Sequence, residues 1–443
     1  MSGISYEMYA DRIERASTIR QFGKVTRVIG LVIESAGPAV SVGRLCYIEN
    51  RDNKSRTLAE VVGFRDSRIL LMPLGTTSGI TPGAIVTSTS DQFRIPVGQA
   101  LIGRVVGGLG EPIDDQGPII TEVTRSVAAR PIPVLKRRRI TKPIRTGIKA
   151  IDTVAAVGRG QRMGIFAGSG VGKSVMLGMI ARGSSADVNI IALIGERGRE
   201  VKEFIERDLG PEGLKRSVVV AVSSDQPALV RIKGAMVASA IAEYFRDQGK
   251  DVMLLMDSVT RVATAQREIG LAVGEPPATR GYTPSVFAML PQLLERAGST
   301  ERGSITGLYA VLVEGDDFNE PISDAVRSIL DGHIALSRRL ASMNQYPAVD
   351  IVDSISRLMK EVSTPEETIL AGTVRELVAT YREAEDLINI GAYVKGSNEK
   401  IDRAIEKHDA LNEFFSQGIN ELCSHEDAVR QLAAVLESQE DKP

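Results

Sequence analysis

The stretch Met163-Gly164-Ile165-Phe166-Ala167-Gly168-Ser169-Gly170-Val171-Gly172-Lys173-Ser174 decides how the rest of this chain is read. A short apolar run enters a glycine-rich turn, the turn ends in Lys-Ser, and Val175 to Ile180 are apolar at helical spacing. Strand, loop and helix in that order are the context a phosphate-binding loop needs. Gly168, Gly170 and Gly172 let backbone N–H groups converge on a polyphosphate, where a Cβ would obstruct the turn. Ser169, Val171 and Val175 complete the candidate loop, and the dipole of the new helix favours the same anion. Lys173 would reach the β- and γ-phosphates, and the Ser174 hydroxyl would bind Mg²⁺. The pattern G-x-x-x-x-G-K-[ST] puts its first glycine at Ala167, which is tolerable where the local φ is negative.

Outward from the loop, 443 residues are too many for one ordinary core and suggest about two or three domains. Apolar residues at 43% and charged residues at 25% are those of an ordinary globular chain. A net charge of −2 leaves no global basic field, so no nucleic-acid partner is expected. Cys46 and Cys423 lie far apart, which argues against a disulfide framework and for a reducing compartment. No apolar run approaches the roughly 18–20 residues of a membrane span. The first residues are polar and carry acids, unlike a secretory signal. The expectation is a cytoplasmic protein whose membrane contact would be peripheral.

Residues 1–22 read as a short amphipathic helix, with Met8, Ile13, Ala16 and Ile19 near one face. Two readings stand: a helix lying on its own domain, or a docking helix for a partner protein or an anionic membrane surface. From 23 to 92, short runs such as Val25–Val32, Arg44–Glu49, Thr57–Phe64 and Ile69–Pro73 alternate with turn residues and predict a small β-barrel. Few aromatics and no basic–aromatic interleaving make it a structural or ring-forming barrel. Lys136 to Arg139 is a basic run expected on a solvated linker.

Between 93 and 346, apolar strand candidates alternate with helical stretches: Arg162–Phe166, Asn189–Ile194, Ser217–Val222, Val252–Met256 and Ser304–Val313. That alternation predicts a parallel sheet covered on both faces, with its site at the carboxyl ends of the strands. Two strand ends carry an acid. Asp257 follows Val252–Met256, in the place of the magnesium carboxylate of a phosphate-loop protein. Glu196 follows Ile190–Gly195, where a carboxylate orients or deprotonates a water in line with the γ-phosphate. Asp316-Asp317 reads as a structural or interface loop, and His333 as part of an apolar helical stretch. His408 and His425 lack metal-ligand spacing. Residues 347–443 are expected to be mostly helical, from the periodicity of Glu366–Ile390, Asn398–Ser416 and His425–Leu436.

These motifs resemble the flagellum-specific ATPases of the bacterial flagellar (type III) protein export apparatus, a branch of the rotary ATPase α/β-subunit family. The resemblance rests on the loop Ile165–Ser174, on Gly195–Glu200, on Met256–Arg261, on Gly274–Pro277, and on the signature Pro347–Ser356. It covers nearly the whole chain, and the Ala167 form of the loop is that of the secretion branch. It implies a RecA-like P-loop NTPase core with an N-terminal β-barrel and a C-terminal helical domain. It implies ATP and Mg²⁺, with Glu196 as catalytic glutamate, Lys173 as phosphate lysine, and Ser174 and Asp257 at the metal. Arg197 and Arg261 fall near the phosphates, Tyr346 matches a tyrosine that stacks on adenine, and Phe414 or Phe415 would complete that pocket. Arg357 matches an arginine finger donated to the neighbouring subunit.

A chain carrying base, loop lysine, metal ligands and finger together implies a homohexameric ring of identical sites. The resemblance further implies a regulator or stator protein on the N-terminal helix, a central stalk protein, an export gate, and chaperone–substrate complexes. It places the protein in the cytoplasm, peripheral at the inner face of the membrane. The injectisome ATPase of virulence secretion is the nearest alternative. An ATP synthase β subunit is disfavoured because Gly391–Asn398 is not acidic. A hexameric RNA translocase lacks its nucleic-acid-binding barrel.

Overall fold

The computed structural model describes residues 21–49, 56–89, 93–313, 315 and 317–437. The amphipathic helix expected before the barrel lies outside the described residues except at its end, where Phe22 already belongs to a strand. The chain divides into two compact units, one ending at Phe93 with Ala272–Gly274 added, the other beginning at Arg94.

The first unit is a closed barrel of β1 (Phe22–Ile29), β2 (Val32–Ala36), β3 (Leu45–Glu49), β4 (Arg56–Arg65), β5 (Arg68–Pro73) and β6 (Ile85–Ser88). Its order is β1-β2-β5-β4-β3-β6, and β6 returns to β1 in antiparallel register. Alternate residues point inward, so Val25, Ile33, Cys46, Ile48, Val61, Leu71 and Val86 fill one core. The run Val25–Val32, expected as one strand, is two. Gly30 and Leu31 form the turn between β1 and β2, with Gly30 at φ 56°.

The second unit carries β7 (Arg94–Val97), β8 (Val105–Val106), β9 (Val123–Ser126), β10 (Pro143–Ile144), β11 (Val157–Gly158), β12 (Arg162–Ala167) and β13 (Val188–Glu196). It continues with β14 (Ser217–Ser223), β15 (Asp251–Asp257), β16 (Gly298–Ser299), β17 (Ser304–Leu312), β18 (Gly332–Leu336) and β19 (Val349–Ser356). The main sheet runs β19-β18-β12-β17-β15-β13-β14-β8 among the described residues, with β16 beside β17. From β18 to β8 it is parallel, and the middles of its strands are apolar and buried, as in a sheet covered on both faces, with polar residues such as Arg162, Glu196 and Asp257 at strand ends.

Three sequence expectations change here. His333 lies in strand β18, not in a helix, because a short apolar run has no decisive periodicity. β19 pairs antiparallel with β18, so the sheet continues past residue 346 into the stretch expected to be helical. The basic run is not wholly solvated: Arg137 donates to the Glu295 carboxylate at 2.6 Å and to its carbonyl at 2.7 Å. Arg139 stays exposed and pairs with Glu361 at 2.8 Å.

Helices Pro365–Asn389, Glu399–Phe415 and His425–Glu437 follow. The first opens with a capping box between Thr364 and Glu367. Their apolar stripes, including Val374, Leu377, Ala404, Leu411 and Leu432, join the same core as the sheet.

Candidate active site

The carboxyl ends of β12, β13, β15 and β17 open on a cavity of about 790 Å³. The loop from Ala167 to Val175 forms one wall. Ala167 ends β12 buried, and it is absent from the left-handed residues, so no glycine is required there. Gly172, by contrast, stands at φ 82° before the helix Lys173–Gly183, and a Cβ on it would lie 3.2 Å from the Tyr346 ring. The helix therefore starts under a turn that only glycine takes readily, with its first N–H groups facing the cavity end.

Lys173 and Asp257 form a buried ion pair across the sheet, their side chains 10% and 4% exposed. Ser174 lines the cavity with an exposed hydroxyl residue. Glu196 ends β13, three residues beyond Leu193, which is in register with Asp257. Its Oε1 is buried without a hydrogen-bond partner among the described residues. Burial, then the Asp257 charge, push the Glu196 carboxyl up to about 7, while Lys173 pulls it down. A carboxylate with an unoccupied buried oxygen, titrating near neutrality beside a phosphate loop, is suited to accept a proton from water.

Arg261 and Arg197 both line the cavity, in different ways. Arg261 packs against Gly195, where an added Cβ would come within 2.9 Å of it, and its Nε is buried without a partner among the described residues. Arg197 is 80% exposed and pairs loosely with Glu200 at 3.5 Å.

Tyr346 touches the loop through Gly172, and its side is open, at 40% exposure. Like Tyr346, Phe414 and Phe415 lie outside the residues that line the cavity. Both are buried and pack on each other at 5.0 Å, because the end of the helix Glu399–Phe415 turns them into the core. Arg357 is exposed and lies at the other edge of the sheet. Its N–H donates to the Asp331 carbonyl at 3.0 Å, and Asp331 in turn holds Arg162 at the start of β12. The six residues of β12 separate that edge from the loop by roughly 20 Å, more than an arginine side chain spans. Asp317 pairs with Arg280 at 3.2 Å, and Asp316 lies outside the described residues.

The sequence reading missed several cavity residues: Thr260, Thr264 and Arg267, then Tyr282, Glu320 and Arg338. Arg267 lies over the Tyr282 ring at 5.1 Å. The signal for the first three was present, since spacings of four and three place them on one face of the helix Val259–Val273 behind Asp257.

A parallel sheet with a glycine loop, a lysine–aspartate pair and a strand-end glutamate at one edge defines a P-loop nucleotide-hydrolysing core of RecA type. Known proteins sharpen this. Residues 25–90 match the ATP synthase alpha/beta family beta-barrel domain, and 147–356 its nucleotide-binding domain. Residues 363–434 match the T3SS EscN ATPase C-terminal domain. The chain is similar to the flagellum-specific ATP synthase of Bacillus subtilis, 54% identical over 97% of this chain and 98% of that one. It is 49% identical to a type 3 secretion system ATPase of Xanthomonas euvesicatoria, over 94% of this chain and 95% of that one. The assembled ATPase EscN of enteropathogenic E. coli has a similar structure, with a TM-score of 0.89 at 45% identity over 94% of this chain and all of that one. EscN with its central stalk EscO gives a TM-score of 0.86 at 44% identity, again over 94% of this chain and all of that one. The chain belongs to the ATP synthase alpha/beta family, in the branch of flagellar and type III secretion ATPases, and it is an ATPase.

Proposed function

We propose that this chain hydrolyses ATP at sites shared between neighbouring copies of a homohexameric ring that energises flagellar type III protein export. The observation that carries the reading is the split of the site residues: Lys173, Glu196 and Asp257 stand at one edge of the sheet and Arg357 at the other. In this reading Lys173 and the loop N–H groups hold the phosphates, and Glu196 takes a proton from the attacking water. Tyr346 stacks on the base, and Arg357 stabilises the phosphates of the next subunit. Arg197 is an exposed auxiliary cation at the rim.

Ser174 and Asp257 fit Mg²⁺, being hard oxygen donors, and a divalent ion that takes phosphate and water as its other ligands needs no larger protein cage. Bound there, the ion would supply positive charge across the phosphates.

We assign a barrel unit through residue 92, an ATPase unit extended from 346 to Ser356 to include β19, and a helical unit beyond. EscN's complex with its stalk supports a central stalk partner for this chain too. A regulator at residues 1–22, an export gate and chaperone–substrate complexes belong to the same reading, in the cytoplasm at the inner face of the membrane. Among the described residues no helix is long and apolar enough to cross a membrane. The likeness to EscN and to the Xanthomonas ATPase favours an injectisome role as the second reading. Deletion of the gene separates the two, since loss of motility with secretion of virulence proteins intact supports the flagellar one.

Mixing two inactive variants tests the shared site. Glu196→Gln and Arg357→Ala should each be inactive alone. Random mixed rings should regain about a quarter of wild-type turnover, because one site in four joins an intact Glu196 to an intact Arg357. No recovery in mixed rings of proven composition overturns the shared site.

A further inference from the structure

Between the helices Glu399–Phe415 and His425–Glu437 runs a loop whose attachments converge on one buried side chain, Gln417. Gln417 is 5% exposed, yet every polar atom of its side chain is used. Its Oε1 accepts from the Lys149 N–H at 3.0 Å, and its Nε2 donates to the Gly147 carbonyl at 2.8 Å and the Glu421 carbonyl at 3.0 Å. Its own backbone N–H donates to the carbonyl of Tyr346 at 2.8 Å. Tyr346 is the residue whose ring rests on Gly172 of the phosphate loop.

Two further ties fix the same loop. Arg182, in the last turn of the helix that begins with Lys173, donates to the Ile419 carbonyl at 2.6 Å. Lys149 pairs with Glu421 at 2.5 Å and lies over the Phe414 ring at 5.7 Å. The loop is thus bolted to the phosphate-loop helix at one point and to Tyr346 at another, with Gln417 at the junction. Burying an amide is costly unless all its bonds are made; here the side chain ties the Gly147–Lys149 segment to Glu421 of its own loop while its backbone N–H holds Tyr346, so Gln417 fixes their relative positions.

We propose that Gln417 is a positioning residue for the base end of the nucleotide site. It acts through Tyr346: the side chain anchors the loop on Gly147 and Lys149, and the anchored N–H holds the Tyr346 carbonyl and so the plane of the ring. This rests on the reading of Tyr346 as the platform for the base. An aromatic platform contributes only while its face stays in place, because stacking is short-ranged and orientation-dependent. Base-dependent affinity should therefore depend on Gln417, and phosphate-dependent affinity should not.

The test is Gln417→Met in the full-length protein, which keeps the side-chain length and removes its hydrogen bonds. Steady-state ATP hydrolysis is measured with ADP and with pyrophosphate as competing inhibitors. The expected result is a KM for ATP and an inhibition constant for ADP both raised about tenfold. Turnover number should stay within about twofold and the pyrophosphate constant should not move. Equal weakening of ADP and pyrophosphate, or no change in either, overturns the proposal. Gln417→Glu keeps the acceptor for Lys149 and loses the donor to Gly147. It should give a smaller loss of the same ADP-selective kind, and it carries the test if the Met variant does not fold. Tyr346→Ala is run beside them. If it leaves ADP inhibition intact, the platform reading itself fails. If it weakens ADP while both Gln417 variants leave ADP intact, the role of Gln417 alone is refuted.

Discussion

The two edges of the central sheet hold the same kinds of residue and use them in opposite ways. At the carboxyl edge, charge is buried: Lys173 and Asp257 are paired out of solvent, and Glu196 Oε1 is buried with no hydrogen-bond partner among the described residues. At the amino edge, Arg162 is tied to Asp331 at 3.0 Å and Arg357 is exposed beside them. In the proposed reading one edge holds a ligand and the other reaches one. In the proposed ring the chain then carries two halves of different sites, roughly a strand length apart, and each half is completed by a neighbour.

The sharpest way to break this contrast is at the exposed edge. Arg357→Ala should lower turnover by about 10³–10⁵-fold while nucleotide affinity, read by equilibrium binding of a fluorescent ATP analogue, stays near wild type. A matching loss of affinity would mean that Arg357 serves its own chain's pocket. The buried edge should respond to pH. Glu196 must be ionised to act, and its carboxyl lies up at about 7 in the nucleotide-free chain. The wild-type kcat/KM should therefore rise about tenfold per pH unit below 7 and level off above it. A flat profile between pH 5.5 and 8 would remove Glu196 as the base.

The smallest expected effect is on stability. The folded Glu196 carboxyl titrates near 7 instead of near 4.5, so the folded chain retains a proton that the unfolded chain releases between those values. The penalty of ionising it is absent below about 4.5 and complete above about 7. Glu196→Gln should thus melt a few degrees above wild type at pH 8 and together with it at pH 4, by scanning calorimetry. Equal melting at pH 8 would show that the burial of Glu196 carries no cost.

Much of the buried edge was legible in the sequence because its signals are local. A glycine loop, an apolar strand and a strand-end acid each occupy a few consecutive residues, which is why Lys173, Glu196 and Asp257 were found together. The exposed edge was legible only through the signature that leads into Arg357, since an exposed arginine after a strand has no pattern of its own. What escaped lacks a period or needs the tertiary fold. β8 is two residues long, and β18 is a five-residue apolar run that reads equally as helix. The burial of Phe414 and Phe415 is visible only once the helix ends pack together. Gln417 is an unremarked polar residue until segments some 270 residues away along the chain meet it.

The antiparallel course of β19 has a mechanical consequence. Ten residues separate Tyr346 from Arg357, and the last eight of them, Val349–Ser356, form the edge strand β19. Its pairing with β18 is interrupted: Val349 and Asp350 pair with Leu336 and Ala335, Ile355 and Ser356 with His333 and Gly332, and the residues between bulge out of register. In the proposed ring, this one bulged strand lies between the residue read as the platform for its own chain's base and the residue read as the cation offered to the next chain. On that reading the two half-sites of one chain are spaced by a single short segment, so an insertion or deletion within β19 would shift one against the other.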